Sequence, residues 1–138
     1  MRSRTETRAR ARALQLLYAW EMQGEPEVSG VVDRLLQFGR GRCAGEVEAE
    51  ALARAVVSRR PELDQAIADA VEGWRLDRIG VVERNVLRLG LLELQDGRVP
   101  PRVAIDEGIR LARWFGGEKA PAFVNGVLDQ LARRAGCL

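Results

Sequence analysis

Apolar positions along this chain recur at three- and four-residue intervals almost throughout, and glycine or proline interrupts them at intervals. That period is the signature of helices with one buried face, and the interruptions mark the turns between them. In the opening stretch SRTETRARARALQLLYAW, Ser3 and Glu6 have capping-box spacing, which predicts a helix running to about Met22 and closed by Gly24 and Pro26. A second helix is predicted over 28–38, with Val28, Val32, Leu35 and Leu36 inward, and GRGRCAG at 39–45 reads as a loop. The third is predicted over 46–58, burying Val47, Ala51, Leu52, Ala55 and Val56. Pro61 opens the fourth in its first turn, where its missing N–H is not needed, with Leu63, Ala66, Ile67, Ala70, Val71 and Trp74 at helical spacing. The segment RIGVVERNVLRLGLLELQDG, 78–97, is apolar nearly all round, which predicts a central helix surrounded by others. A sixth helix over 101–115 buries Val103, Ile105, Ile109 and Ala112, and a last over 120–134 buries Phe123, Val124, Val127, Leu128 and Leu131. No internal repeat, low-complexity linker or strand pattern stands out. The expectation is an all-α fold: one domain over 1–138, a bundle of about seven helices.

Composition narrows the function more than the fold. Of the 138 residues 46% are hydrophobic, enough for a packed core. No apolar run reaches the ~18–20 residues of a membrane helix. The short apolar run after the basic N-terminus is broken by Glu21, so no signal peptide is expected. Cys43 and Cys137 lie far apart and read as free thiols of a reducing cytosol, which points to a cytoplasmic protein. Histidine is absent, which removes Ser-His and Cys-His nucleophile systems and the commonest zinc ligand. Asp106 and Glu107 are adjacent and would point about 100° apart on a helix, a poor arrangement for joint acid–base work. Neither catalysis nor a cofactor or metal is expected.

Charge is unevenly placed. The net charge is +2, but residues 1–12 alone carry +4, from five arginines against Glu6, leaving −2 for the rest. A localised anionic partner follows more naturally than general stickiness. The skew to 21 Arg against the single Lys119 also fits a GC-rich genome, so arginine identity by itself decides little. On one helix, Arg4, Arg8 and Arg12 are spaced i, i+4, i+8 and form a stripe, Gln15 continues it, Tyr18 lies at its edge, and the apolar residues occupy another side. A single helix can thus anchor its C-terminal half in the core and offer its N-terminal half as a cationic ridge. Guanidinium forks suit phosphate oxygens, and aromatics stack on unpaired bases. The plainer alternative is a frayed, merely solubilising arginine tail.

Three stretches together resemble the NusB family of bacterial transcription antitermination factors: VPPRVAIDEGIRLARWFGGEKAPAFVNGVLDQLAR at 99–133, WRLDRIGVVERNVLRLGLLEL at 74–94, and RARARALQLLYAWEMQG at 8–24. The resemblance spans the chain and is weakest over 25–60. It implies a NusB-like helical fold and a non-catalytic protein that binds the boxA element of nascent RNA together with NusE, a ribosomal protein, at the RNA polymerase elongation complex. It assigns RNA contact to Arg4, Arg8, Arg10 and Arg12, with Gln15 and Tyr18 beside them, and places Phe123 of the FVNG motif near the same surface. Glu83 stands where the family carries an acid facing NusE or RNA. Arg84 and Arg88 have a structural alternative, pairing with carboxylates inside the bundle. Asn125-Gly126, inside a helix, suggest close helix packing. Three departures from the family pattern bear on the site, the first being more Ala–Arg alternation at the N-terminus than a typical member has, which leaves the register of the individual arginine contacts open. Asp106 replaces the usual Asn and requires either exposure or a partner, Arg102 and Arg110 being the nearest candidates, and Lys119 stands where an acid is common, adding a cation to the RNA-binding set. Two other readings remain: an RNA-binding domain related to the N-terminal part of ribosomal RNA cytosine methyltransferases, which a reading frame continuing past Leu138 would favour, and a helical module that self-associates as a homodimer.

Overall fold

The computed structural model describes residues 4–37, 45–71 and 75–138. Ser3, Cys43, Trp74, the 39–45 loop apart from Gly45, and the side chains of Arg4, Leu35 and Leu36 lie outside the described residues. Among the described residues every regular element is helical: α1 (Arg4–Met22), α2 (Val28–Gln37), α3 (Glu46–Ser58), α4 (Arg60–Ala70), α5 (Val81–Asp96), α6 (Pro101–Phe115) and α7 (Ala120–Arg134), with a 3-10 turn at Leu76–Arg78. The chain forms two compact units, Met1–Ser58 and Arg59–Leu138.

In the first unit α1 packs on α2 and α3. It buries Ala9, Ala13, Leu14, Leu16, Leu17 and Trp20, a continuous stripe at helical spacing. Gly24 and Glu25 both take left-handed backbone angles (φ 84° and 63°), and the Glu25 N–H donates to the Trp20 carbonyl at 2.8 Å, which closes α1 and turns the chain toward α2. α2 contributes Val28, Val31 and Val32. The inward face of α3 agrees with its pattern at Val56 and differs from it elsewhere. Ala49, Ala53 and Val56 are buried, whereas Val47 is 68% exposed and Ala51 also faces solvent. Two causes turn the helix this way. Alanines give α3 a flat face for close approach, and Glu46 comes inside, 2% exposed, because Arg12 of α1 is there to meet it.

In the second unit α5 lies against α4, α6 and α7, as its all-round apolar pattern predicts, and every residue from Asn85 to Leu92 is buried, together with Leu94. Leu128 of α7 sits in a hollow made by two glycines. A Cβ on Gly90 of α5 would come within 2.8 Å of its side chain, and one on Gly108 of α6 within 2.6 Å. The close helix packing expected at Gly126 is therefore found elsewhere. Gly126 is exposed, with nothing within 4 Å of where a Cβ would be, and Asn125 beside it also faces solvent.

Arg88 takes its structural alternative. Its guanidinium, 2% exposed as a residue, donates from Nε and Nη2 to the two oxygens of Asp64 at 2.7 and 3.0 Å, and from Nη1 to Asn85 Oδ1 at 2.9 Å. This bidentate pair ties α4 to α5. Arg84 Nη1 donates instead to the carbonyls of Leu76 and Ile79, closing the 3-10 turn onto α5. In α6, Glu107 is buried and meets Arg110 at 3.8 Å, so Arg110 serves Glu107, while Asp106 stays exposed.

Candidate nucleic-acid interface

The first unit presents the face of α1 opposite its buried stripe. Arg8, Gln15 and Tyr18 are exposed, Tyr18 by 44%, and Met22 extends the same face toward the C-terminal end of the helix. The six buried apolar residues of α1 hold this face in place, so the Arg–Gln–Tyr series is displayed on a helix rooted in the core.

Two of the predicted arginines do not stand on that face. Arg10 is 4% exposed, on the core side of α1, because the Arg–Ala alternation puts it about 200° round the helix from Arg8. Arg12 is held between α1 and α3. Its Nε lies 3.1 Å from both Glu46 oxygens, and the side chains are 14% and 3% exposed. Arg12 Nη1 also donates to Gln15 Oε1 at 3.2 Å. With its carbonyl oxygen engaged there, the Gln15 amide is left with its NH2 group as the free donor, a disposition suited to an acceptor on a base edge or a phosphate. The cationic stripe of Arg4, Arg8 and Arg12 thus contains one arginine committed to a carboxylate. Arg8 is its exposed member among the described side chains.

The second unit gathers the remaining predicted residues. Glu83, Lys119 and Phe123 line one open cleft with Arg78, Ile79 and Gly117. Lys119 is exposed and Phe123 half-buried, and they lie one turn apart where α7 begins. Glu83 occupies the first turn of α5, where the helix dipole favours an anion. Its Oε1 accepts a long bond from the Gly117 N–H at 3.5 Å, and a Cβ on Gly80 or Gly116 would press against its carboxylate. Glu83 therefore also braces the turn between α6 and α7, a structural duty that motif reading did not reveal. Glu46 and Asp64 were likewise invisible as site-shaping residues. Their partners Arg12 and Arg88 lie 34 and 24 residues away along the chain. Trp114 and Phe115, 53% and 41% exposed, received no role either, although Arg110 four residues before Trp114 was a readable signal.

An all-α protein whose candidate sites are exposed helix faces, one basic and one lining an aromatic cleft, belongs to the binding proteins of helical architecture. The comparisons name the group. The family model described as "NusB family" matches residues 7–133, and the chain belongs to that family. It is 45% identical over 130 residues to the transcription antitermination protein NusB of Anaeromyxobacter dehalogenans, covering 91% of this chain and 89% of that one. It is 37% identical to its counterpart in a Nocardioides species, covering 92% and 93%. Among solved structures it is similar to T. maritima NusB, with a TM-score of 0.82 at 30% identity, over 96% of this chain and 93% of that one. A chain from the crystal structure of antitermination factors NusB and NusE in complex with dsRNA also superposes, with a TM-score of 0.82 at 28% identity, over 96% and 99% of the two chains. No helix among the described residues is long and apolar enough to cross a membrane.

Proposed function

We propose that this chain is a cytoplasmic, non-catalytic transcription antitermination factor that acts as one RNA-binding domain, engaging boxA-type RNA together with NusE at the RNA polymerase elongation complex. One observation carries the reading: the exposed Arg8, Gln15 and Tyr18 share one face of α1, whose opposite face is buried. That face combines a phosphate-binding fork, an amide donor and an aromatic ring, the three side-chain types that single-stranded RNA recognition uses. Relatives named as antitermination proteins, and a structural neighbour crystallised with NusE and RNA, support the same assignment. Arg4 extends the series at the start of α1. Arg10 and Arg12 are assigned to holding the helix, and Arg12 to orienting Gln15. Lys119 and Phe123 form a second RNA-contacting element, and Glu83 faces the protein partner while bracing its turn.

Phosphate contacts give affinity without sequence, so base contacts or NusE must supply selectivity. The test is a gel shift with boxA and scrambled RNA, single- and double-stranded, with and without NusE, comparing wild type with Arg8→Glu. The charge reversal is expected to weaken binding to every RNA and to flatten the dependence of log K on log salt, by ~0.7 for each single-strand phosphate that is no longer neutralised. Wild-type affinity in Arg8→Glu would remove α1 as the binding element. Mass measurement with and without NusE separates the two-protein complex from homodimer formation.

A further inference from the structure

The C-terminal end of α6 carries an exposed aromatic pair outside the interface described above. Trp114 and Phe115 are 53% and 41% exposed, and their rings meet edge to face with centroids 6.4 Å apart and planes at 87°. The Arg110 guanidinium lies 5.7 Å from the centroid of the Trp114 ring. That is within cation–π range, and it leaves the indole with solvent-facing area despite the cation already stacked there. Arg113 is exposed beside the pair, and the turn that follows adds Lys119 against Glu118. Counted with Glu107, which pairs with Arg110, the charge over residues 107–119 is +1.

We propose that Trp114, flanked by Arg110, Arg113 and Phe115, is a stacking platform for an unpaired RNA base. The inference rests on the RNA-binding reading above and adds a contact to it. Stacking needs a flat, exposed π-face, and every base has one to offer in return. Arg113 and Lys119, the exposed cations of this stretch, suit the phosphates on either side of the stacked nucleotide, while Arg110 is shared with Glu107 and the indole. Charge complementarity favours RNA over a protein occupant. Protein interfaces concentrate their apolar residues in a core depleted of charge, whereas this aromatic pair has Arg110 against its indole and exposed charges at Arg113, Glu118 and Lys119 within five residues along the chain. Along the chain the pair is followed after Gly116 by Gly117, which lines the cleft containing Lys119 and Phe123.

The experiment compares the full chain with Trp114→Ala and Trp114→Tyr, measuring affinity for single-stranded boxA-type RNA across a salt series, with Arg8→Glu run alongside. Trp114→Ala is expected to bind about 5- to 150-fold more weakly, the range for one base–aromatic stack, with the salt slope unchanged because no charge has been removed. Trp114→Tyr, which keeps a ring, is expected to recover most of that affinity. RNA substituted with 4-thiouridine is expected to crosslink to the peptide containing Trp114. Equal binding by Trp114→Ala and wild type, with Arg8→Glu still impaired, would overturn the platform and leave the RNA reading standing. A Trp114→Ala defect confined to NusE binding would overturn it in favour of a protein-docking surface. No RNA binding by the wild-type chain, either alone or together with NusE, would overturn both.

Discussion

Replacing Arg12 by Gln separates an arginine that holds the fold from one that touches RNA. Its Nε lies 3.1 Å from both oxygens of Glu46, and the side chains are 14% and 3% exposed. Breaking a buried ion pair by removing one partner costs about 3–5 kcal/mol, because the remaining charge stays desolvated. Two features lower the figure here. Arg12 keeps some contact with water, and Glu46 begins α3, where the helix dipole favours a carboxylate by about 0.3–1 kcal/mol. A loss of about 2–3 kcal/mol is expected. With a urea m-value of about 1–3 kcal/mol/M, the unfolding midpoint should fall by about 0.7–3 M, read by helical circular dichroism. Glu46→Gln should destabilise as well, and the double variant should cost less than the two singles added, because two amides replace two charges at the same site. The RNA readout runs the other way. Arg12 is already neutralised by Glu46, so its removal should leave the salt slope unchanged, whereas Arg8→Gln should flatten the slope by ~0.7 without moving the urea midpoint. An Arg12→Gln variant that unfolds like wild type and binds RNA with a flattened slope would refute this division of labour.

Two further variants probe the second unit. Gly126→Ala should stabilise the chain by about 1 kcal/mol, because Gly126 is an exposed helical residue with open space where the methyl would go, and alanine is the better helix former; a lower urea midpoint would mean that the position is packed after all. Asp64→Ala should cost about 3 kcal/mol, the low end for a buried pair, because Arg88 is 3% exposed but Asp64 19%. Arg88→Met combined with Asp64→Leu should regain most of that stability, and a single variant costing under about 1 kcal/mol would show that the pair is not desolvated.

Helix existence and limits were largely written in local residues. The predicted bounds of the third, sixth and seventh helices coincide with α3, α6 and α7, because Gly45 before α3, Pro101 and Pro121 in the first turns of α6 and α7, and Gly116 and Gly117 between them act within a turn of where they stand. The central place of α5 was also legible, since a helix apolar on nearly all sides has to be surrounded. The exposed Arg8, Gln15 and Tyr18 followed from phase alone. What depended on distant partners was not legible. The buried face of α3 was decided by Arg12 receiving Glu46 and by alanines fitting against α1, and a hydrophobicity pattern that ranks valine above alanine chooses Val47 instead. Gly90 and Gly108 make a hollow for Leu128, while Gly126, equally unusual in a helix, faces open solvent, and the sequence presents all three alike. The arginines divide in the same way. Composition supplied a run of positive charge near the N-terminus, and tertiary packing sorted it into Arg8 in solvent, Arg10 in the core and Arg12 in an ion pair. Local chemistry sets where a helix starts and stops. Which of its side chains bind and which hold the fold depends on desolvation and pairing, and those exist only once the helices have packed.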